Sequence, residues 1–174
     1  MIITNMDENK EKIRILGIDP GTRITGYGII ESDFFHFSTL DYGTIRPPPD
    51  LPLAKRYLII HQGIEELLDT YPIDGLAVES QYVQKNVQSA LKLGMAKGVI
   101  MLAATKREIP TYEYSPRKAK LAVIGNGAAS KEQVGRMIQV LFNLAEIPPP
   151  DAADALALAF CHLNHIKCQR RLYV

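Results

Sequence analysis

The chain has 174 residues, of which 47% are hydrophobic, and a formal net charge of +1. That length suits one well-packed domain and is short for two. No apolar run approaches the roughly 20 residues of a membrane span, and the charged segment 1–12 lacks the apolar core of a signal peptide. We therefore expect a cytoplasmic protein with no membrane partner.

The charge is distributed unevenly along the chain. Residues 85–136 carry ten basic and three acidic side chains, which leaves a net charge of −6 for the remainder. An enzyme that grips a polyanion in one region and gathers carboxylates around cations in another needs this separation. A solvated basic face would give the same count, so the charge alone does not decide between the two.

The first predicted elements form a β-hairpin. An apolar run from Ile13 to Ile18 stops at Asp19, and the Pro-Gly-Thr that follows favours a turn. A second apolar run covers Tyr27 to Ile30, and a third strand is predicted over Phe34 to Ile45. The first strand is expected to be buried and to carry Asp19 at its end.

Helices and two short strands account for the rest of the chain. Apolar residues recur with helical spacing, or follow helix start signals, in five stretches: 53–68, 89–106, 116–123, 130–144 and 151–165. A short strand over Leu76 to Val78 ends at Glu79, and another is predicted over Ile109 to Tyr114. This order predicts a mixed α/β fold with helices on both faces of one sheet.

The second predicted helix contains three small residues, Ala90, Gly94 and Gly98. Small side chains let a neighbouring backbone come close, so we expect a neighbour at this face. The lysines of the same stretch argue against a membrane span.

Four acidic residues stand out by their positions. Two end buried strands and two begin the last helix, three residues apart and so on one face: Asp19, Glu79, Asp151 and Asp154. If that helix packs across the sheet, the carboxylates converge, and a hard cation such as Mg²⁺, or Mn²⁺ in its place, would relieve their repulsion. Two such ions about 4 Å apart can activate a water and stabilise the leaving oxygen of a phosphodiester. The set therefore indicates a metal-dependent nuclease.

Each acid also has an ordinary structural explanation. Asp151 could cap the last helix, Asp19 could cap a tight turn, and Glu79 could be an exposed strand end. Asp154 is harder to explain in this way, because its neighbours in the sequence are alanine and leucine. Taken together, the four acids favour a metal site over four separate structural roles.

Four motifs follow one another along the chain: ILGIDPGTRITGYG at 15–28, Glu79 with Lys85-Asn86, SALKLG at 89–94 and DAADALA at 151–157. Together they resemble the RuvC family of Holliday-junction endonucleases. The first is similar to the opening signature of that family, and the likeness covers nearly the whole chain from Ile13 to His162. The resemblance implies a ribonuclease H-like fold of the α/β class, a mixed five-stranded sheet flanked by helices on both faces. One nuclease domain would cover residues 13–166, with a flexible extension over 1–12 and a basic C-terminal tail over 167–174.

The resemblance also implies a function. Such a protein would act as a homodimer and resolve four-way junctions by paired, symmetric, metal-dependent nicks that leave 5′-phosphate and 3′-hydroxyl ends. The RuvA and RuvB branch-migration complex would be its partner. The four acids match the catalytic positions of the family, which would hold a pair of Mg²⁺ ions in each subunit. The expected DNA contacts are Tyr82, Lys85, Lys92, Arg117, Lys120 and Lys131, with Tyr82 matching an aromatic that stacks at the junction centre.

Three other functions fit part of the pattern. A YqgF-type nuclease acting on RNA shares the Asp-x-Gly-Thr opening at 19–22, but the match at 89–94 argues against it. An actin-like or sugar-kinase phosphotransferase also shares it but normally needs two such domains. A junction-binding protein without catalysis would keep the basic residues and lose the acids.

The sulfur and imidazole side chains near the C-terminus allow a further interpretation. Two cysteines so close together suit reduced thiols better than a disulfide framework. A zinc site on a shared helical face is disfavoured because no turn separates the four residues, Cys161, His162, His165 and Cys168.

Overall fold

The computed structural model describes residues 12–80 and 86–171. The strands are β1 Ile13–Asp19, β2 Thr25–Ser32, β3 Phe37–Ile45, β4 Gly75–Glu79 and β5 Thr111–Tyr114. The helices are α1 Leu53–Thr70, α2 Val87–Thr105, α3 Pro116–Ile124, α4 Lys131–Leu141 and α5 Pro150–Arg171.

The five strands form one mixed sheet in the order β3-β2-β1-β4-β5. Strand β2 is antiparallel to both β1 and β3, whereas β4 is parallel to β1 and to β5. All strands except β2 therefore run in one direction. We call the end at which these four strands finish the carboxyl end of the sheet, and the opposite end the amino end.

Helices cover both faces of the sheet, as the sequence predicts. Successive strand residues point to opposite faces. Ile15 and Ala77 pack in the core formed with α3, α4 and α5, whereas Leu16 and Val78 pack in the core formed with α1 and α2. The two apolar cores are thus separated by the sheet, and β1 and β4 contribute to both.

Glycines in the sheet let helix α5 lie directly on the strands. A Cβ atom at Gly17 would lie 2.0 Å from the carbonyl oxygen of Ala155, and one at Gly26 would lie 2.0 Å from that of Asp151. Any side chain at these two positions would therefore collide with the helix backbone. The absence of side chains brings the first turn of α5 over the carboxyl end of the sheet.

Strand β3 begins later than the sequence predicts because a tight turn occupies residues 32–36. The Ser32 hydroxyl donates to the carbonyl oxygen of His36 at 2.7 Å, and the Asp33 carboxylate accepts from two backbone N–H groups of the turn. Phe34 has a φ of 72°, a left-handed conformation that no strand residue adopts. The strand therefore starts at Phe37.

Helix α5 runs to Arg171, well beyond the predicted end near His165. Buried Ile166 continues its apolar side, and two cations lie over aromatic rings, Lys167 over Phe37 and Arg170 over Phe34. Residues 167–171 thus belong to the helix, which corrects their assignment to a basic tail.

One face of helix α2 has no neighbour in the described chain. A Cβ atom at Gly94 or at Gly98 would meet nothing within 4 Å, so the predicted close neighbour is not found among residues 12–80 and 86–171. The same helix exposes a set of large apolar side chains, Val87, Leu91, Met95 and Leu102. By length and composition it is also the one helix of the described residues that could cross a membrane. Both features arise because an apolar helix packs on the core with only one side.

Candidate active site

The four acids meet at the carboxyl end of the sheet. Asp19 ends β1 and Glu79 ends β4, and these two strands pair in parallel. Each acid is two residues beyond a residue that faces α5, so both carboxylates point towards that helix. Asp151 and Asp154 lie in its first turns. Asp19, Glu79 and Asp154 line one pocket of about 230 Å³.

The carboxylates share an unfavourable electrostatic environment. Burial, followed by the negative charges of Glu79, Asp154 and Asp151 in that order, raises the pKa of Asp19 to about 7. Burial, and then the charge of Asp154, also raises the pKa of Glu79. Holding these negative charges together therefore lowers the stability of the fold. Four acids with separate structural roles would not have this effect.

Lys131 supplies a positive charge inside this cluster. Its ammonium group lies 3.2 Å from a carboxylate oxygen of Asp154, and that carboxylate raises the pKa of the lysine. The lysine begins α4, where Ser130 and Gln133 form a capping box. Sequence reasoning assigned Lys131 to DNA and missed its pairing with Asp154, since the two residues are far apart in the chain.

The donor set of the pocket suits a hard divalent cation. All four acids offer carboxylate oxygens, the ligands that Mg²⁺ and Mn²⁺ prefer, and their repulsion would fall if a cation bound. The arrangement is an open one: among the described residues, no three Asp, Glu, His or Cys side chains are grouped closely enough to hold one ion. The repulsion around Asp19 and the ion pair of Asp154 with Lys131 both favour this separation while no cation is bound.

Basic residues without a carboxylate partner in the described chain lie on α3, which lines the pocket, and on α2. We call this set the helix-side basic surface: Lys92, Arg117, Lys118 and Lys120. Lys120 lines the pocket itself, and the other three are exposed. Two further predicted DNA contacts, Tyr82 and Lys85, lie outside the described residues.

Local backbone structure fixes the direction of Arg117. The Ser115 hydroxyl caps α3, and the helix ends at Gly125, whose φ of 76° is left-handed. A Cβ atom at Gly127 would lie 2.6 Å from Cγ of Arg117, so the arginine stem rests on the turn between α3 and α4. Arg117 is exposed, so its guanidinium is accessible to a ligand on the same helix as Lys118 and Lys120.

Comparison with known proteins places the sequence among nucleases. The profile of the family described as crossover junction endodeoxyribonuclease RuvC matches residues 15–162. A protein of that name from Protochlamydia amoebophila is 59% identical over 152 residues, which cover 87% of this chain and 90% of that protein. One from Dehalococcoides mccartyi is 47% identical over 154 residues, covering 88% and 93% respectively.

Two solved structures share the fold. The T. thermophilus RuvC in complex with Holliday junction substrate has a TM-score of 0.83 and 31% identity, over 90% of this chain and 96% of that chain. The yeast mitochondrial Holliday junction resolvase Ydc2 has a TM-score of 0.62 over 93% of this chain and 85% of that chain. At 14% identity, the second likeness is one of fold alone.

Proposed function

The chain belongs to the RuvC family of crossover junction endodeoxyribonucleases, and we propose that it resolves four-way DNA junctions with a site built from four carboxylates. These are Asp19, Glu79, Asp151 and Asp154. One observation carries the assignment: acids from β1, β4 and α5 converge where burial and mutual repulsion raise the pKa of Asp19 to about 7. Perturbed carboxylates gathered in a pocket are characteristic of catalytic and metal sites.

Divalent cations, Mg²⁺ or Mn²⁺, would be held by these carboxylates. A pair of such ions supplies an activated water and stabilises the leaving 3′ oxygen of a phosphodiester. Asp19 and Glu79 offer ligands from the rigid sheet, and Asp151 and Asp154 offer them from the helix that lies on it. Because both supports are buried and directly packed, the backbone positions that carry the four side chains are largely set before any ligand binds.

Two lysines next to the acids have a place in the same chemistry. Lys120 lines the pocket, where its ammonium group can hold a phosphate oxygen beside the carboxylates. Lys131 neutralises Asp154 in the free protein. When the carboxylate turns to a cation, the ammonium group of Lys131 becomes available to the DNA backbone.

The helix-side basic surface fits the phosphate backbone of the substrate. Lysine and arginine contacts to phosphates give affinity that falls with salt and carries no sequence information. A junction binder without catalysis would need this surface but not the acids. Family membership also leads us to propose that the chain acts in the cytoplasm together with the RuvA and RuvB complex.

We further propose that a second copy of the chain covers the exposed face of α2. Val87, Leu91, Met95 and Leu102 are between 51% and 74% exposed and recur along one side of the helix. Apolar side chains grouped in this way mark protein contacts, and the open positions at Gly94 and Gly98 let a second helix come close. A two-fold dimer would match the two-fold symmetry of a four-way junction.

The dimer contact is tested by Leu91→Asp, with Leu58→Asp as its matched control. Leu58 is 54% exposed on α1, close to the 65% of Leu91. We expect the Leu91 variant to sediment as a monomer and the Leu58 variant to remain a dimer. A dimeric Leu91 variant would show that the copies meet elsewhere.

The activity is tested with a labelled synthetic four-way junction, in Mg²⁺ and in chelator, beside linear duplex and an RNA control. We expect paired nicks on the junction alone and only with metal. Binding without cuts, across several crossover sequences and with Mn²⁺ tried, would favour an inert binder. Cutting of RNA alone would favour a YqgF-type nuclease.

A further inference from the structure

We propose that a second phosphate-binding surface lies on the opposite side of the acid pocket from the helix-side basic surface. It is formed by Arg23, Arg46, Lys55 and Arg56, and we call it the loop-side basic surface. The inference rests on the proposed function, because its ligand is the DNA that passes through the acid pocket. It adds a separate set of contacts, in the part of the sequence whose net charge is acidic.

One hydrogen bond and one strand pairing bring Arg23, Arg46 and Arg56 together around the loop that joins β1 to β2, and Lys55 precedes Arg56 in α1. This loop starts at the residue after Asp19 and contains Arg23. A guanidinium N–H of Arg56, from the first turn of α1, donates to the carbonyl oxygen of Thr22. Thr25 of β2 pairs with Ile45 of β3. The segment before Thr25, which contains Arg23, therefore lies beside the segment after Ile45, which begins with Arg46.

The charge of this surface is not neutralised by the protein. Within residues 20–30 and 44–58 there are four basic side chains and a single acidic one, Asp50. Among the described residues, none of the four forms an ion pair with a carboxylate. Arg46 and Arg56 donate only to uncharged oxygens there. The Nε atom of Arg56 is buried without a hydrogen-bond partner in the described chain. Arg23 and Lys55 are exposed, and their side chains form no hydrogen bond or ion pair within the described residues.

The loop-side basic surface is placed so that a DNA strand could be held on both sides of the bond that is cut. The acids lie on β1 and β4, near the middle of the sheet, whereas the loop-side surface lies towards β3 and the helix-side surface towards β5. Five strands at about 4.8 Å spacing span roughly 19 Å. A DNA strand covers that distance in about five or six nucleotides at about 3.4 Å each. The two basic surfaces can therefore hold phosphates on either side of the bond that is cut.

The test compares Arg23→Gln/Lys55→Gln with a matched double variant, Lys12→Gln/Lys106→Gln. Both remove two positive charges, but Lys12 and Lys106 lie at the amino end of the sheet. Their partners Glu31 and Glu65 each keep an arginine. Affinity for a synthetic four-way junction is measured in chelator between about 50 and 200 mM salt, with thermal unfolding to verify that each variant is folded.

The loop-side variant is expected to lose two phosphate contacts, which lowers the slope of log Kd against log salt by roughly 2. Over that salt range it should lose roughly tenfold less affinity than the wild-type chain, and the amino-end variant should match the wild type. A loop-side slope equal to that of the wild type, or an equal change in the amino-end variant, overturns the second surface. A wild-type chain that fails to bind the junction overturns the proposed function with it.

Backbone footprinting distinguishes a second surface from a general loss of charge. Hydroxyl-radical cleavage of the bound junction should show protection on both sides of the cut position with the wild-type chain. We expect Arg23→Gln/Lys55→Gln to lose protection on one side and Arg117→Gln/Lys120→Gln to lose it on the other. Loss on the same side in both variants would show that the two sets are one surface, contrary to the proposal.

Discussion

The two ends of the sheet treat charge in opposite ways. At the amino end, Lys12 and Arg14 share Glu31 at 2.8 Å. Lys106 and Arg107 share Glu65 there, at 2.8 and 3.2 Å. At the carboxyl end, four carboxylates face one another and most neighbouring cations have no carboxylate. One end is neutralised by the protein itself, while the other leaves both signs of charge for a ligand to neutralise.

This difference shows where the fold gives up stability for function. Exposed ion pairs such as those at the amino end contribute little to stability, because water and salt screen them. The repelling acids at the carboxyl end oppose folding, as the raised pKa of Asp19 indicates. The experiments below test the contrast by removing a charge at one end at a time.

The largest expected effect is on cleavage, from Glu79→Gln. Loss of one cation ligand should remove several kcal/mol of transition-state stabilisation and slow single-turnover cutting by roughly a thousandfold. Junction affinity in chelator should be little changed. Glu113→Gln is the matched control, because Glu113 lies on neighbouring β5, pairs with Lys97 and is not one of the four acids. A Glu79 variant that cuts at the wild-type rate would remove this residue from the site.

The next effect is on stability, from Asp19→Asn without metal. The pKa of Asp19 is about 7 in the folded chain and near its ordinary value of 3.8 when the chain is unfolded. Its ionised form therefore opposes folding, and wild-type stability is lost as the pH rises through 7. We expect the variant to unfold with about 2–4 kcal/mol more free energy at pH about 8. The gain should shrink as the pH falls towards about 4.

Urea unfolding in chelator at several pH values measures this effect. Asp50→Asn, which changes an exposed acid of the loop before α1, is expected to leave stability unchanged. A destabilised Asp19 variant would mean that the carboxylate has a structural role that outweighs its repulsion.

The amino end should respond to acid in the opposite direction, through His162. This ring lies next to Gly75, where β4 begins, and burial lowers its pKa to about 3. The unfolded chain then binds the extra proton below pH about 6.5, so stability falls as the pH decreases from there. From pH about 7.5 to 5 the loss is about 2 kcal/mol.

His162→Phe, made in the Asp19→Asn background, isolates this response. Phenylalanine keeps the ring that stacks on Tyr112, with centroids 4.1 Å apart, and cannot take up a proton. We expect a flatter dependence of unfolding free energy on pH below about 6.5. Parallel curves with and without His162 would assign the acid response to other groups.

The smallest expected effect comes from single cations. Lys120→Gln should lower the slope of log Kd for the junction against log salt by about 1, because one phosphate contact is lost. Lys106→Gln should not change the slope, since this lysine is paired with Glu65 at the amino end. Equal slopes for the two variants would erase the distinction between the ends.

The sequence is informative where one strand or helix determines the outcome. Apolar runs that stop at Asp19 and Glu79 predict two buried strands ending in carboxylates, and the structure confirms both. The capping box at the start of α4 is likewise local, because it joins Ser130 and Gln133, which are only three residues apart.

Contacts between distant segments could not be predicted in this way. Gly17 weakens a strand when it is considered locally, and only the packed structure shows that α5 requires it. The ion pair of Lys131 with Asp154 and the bond from Arg56 to Thr22 depend on the same tertiary arrangement. Counting charges along the sequence singles out residues 85–136. The cations at 23, 46, 55 and 56 lie in the remainder of the chain, whose net charge is negative, so the count does not reveal them.

The order of the acids along the chain has a consequence for biosynthesis. Asp19 belongs to the first strand and Asp151 and Asp154 to the last helix, which also fills much of one core. A nascent chain on the ribosome therefore has only two of the four acids, and a sheet without its covering helix, until α5 has been made. On the proposed function, the site for cutting DNA is completed in the same step as the fold.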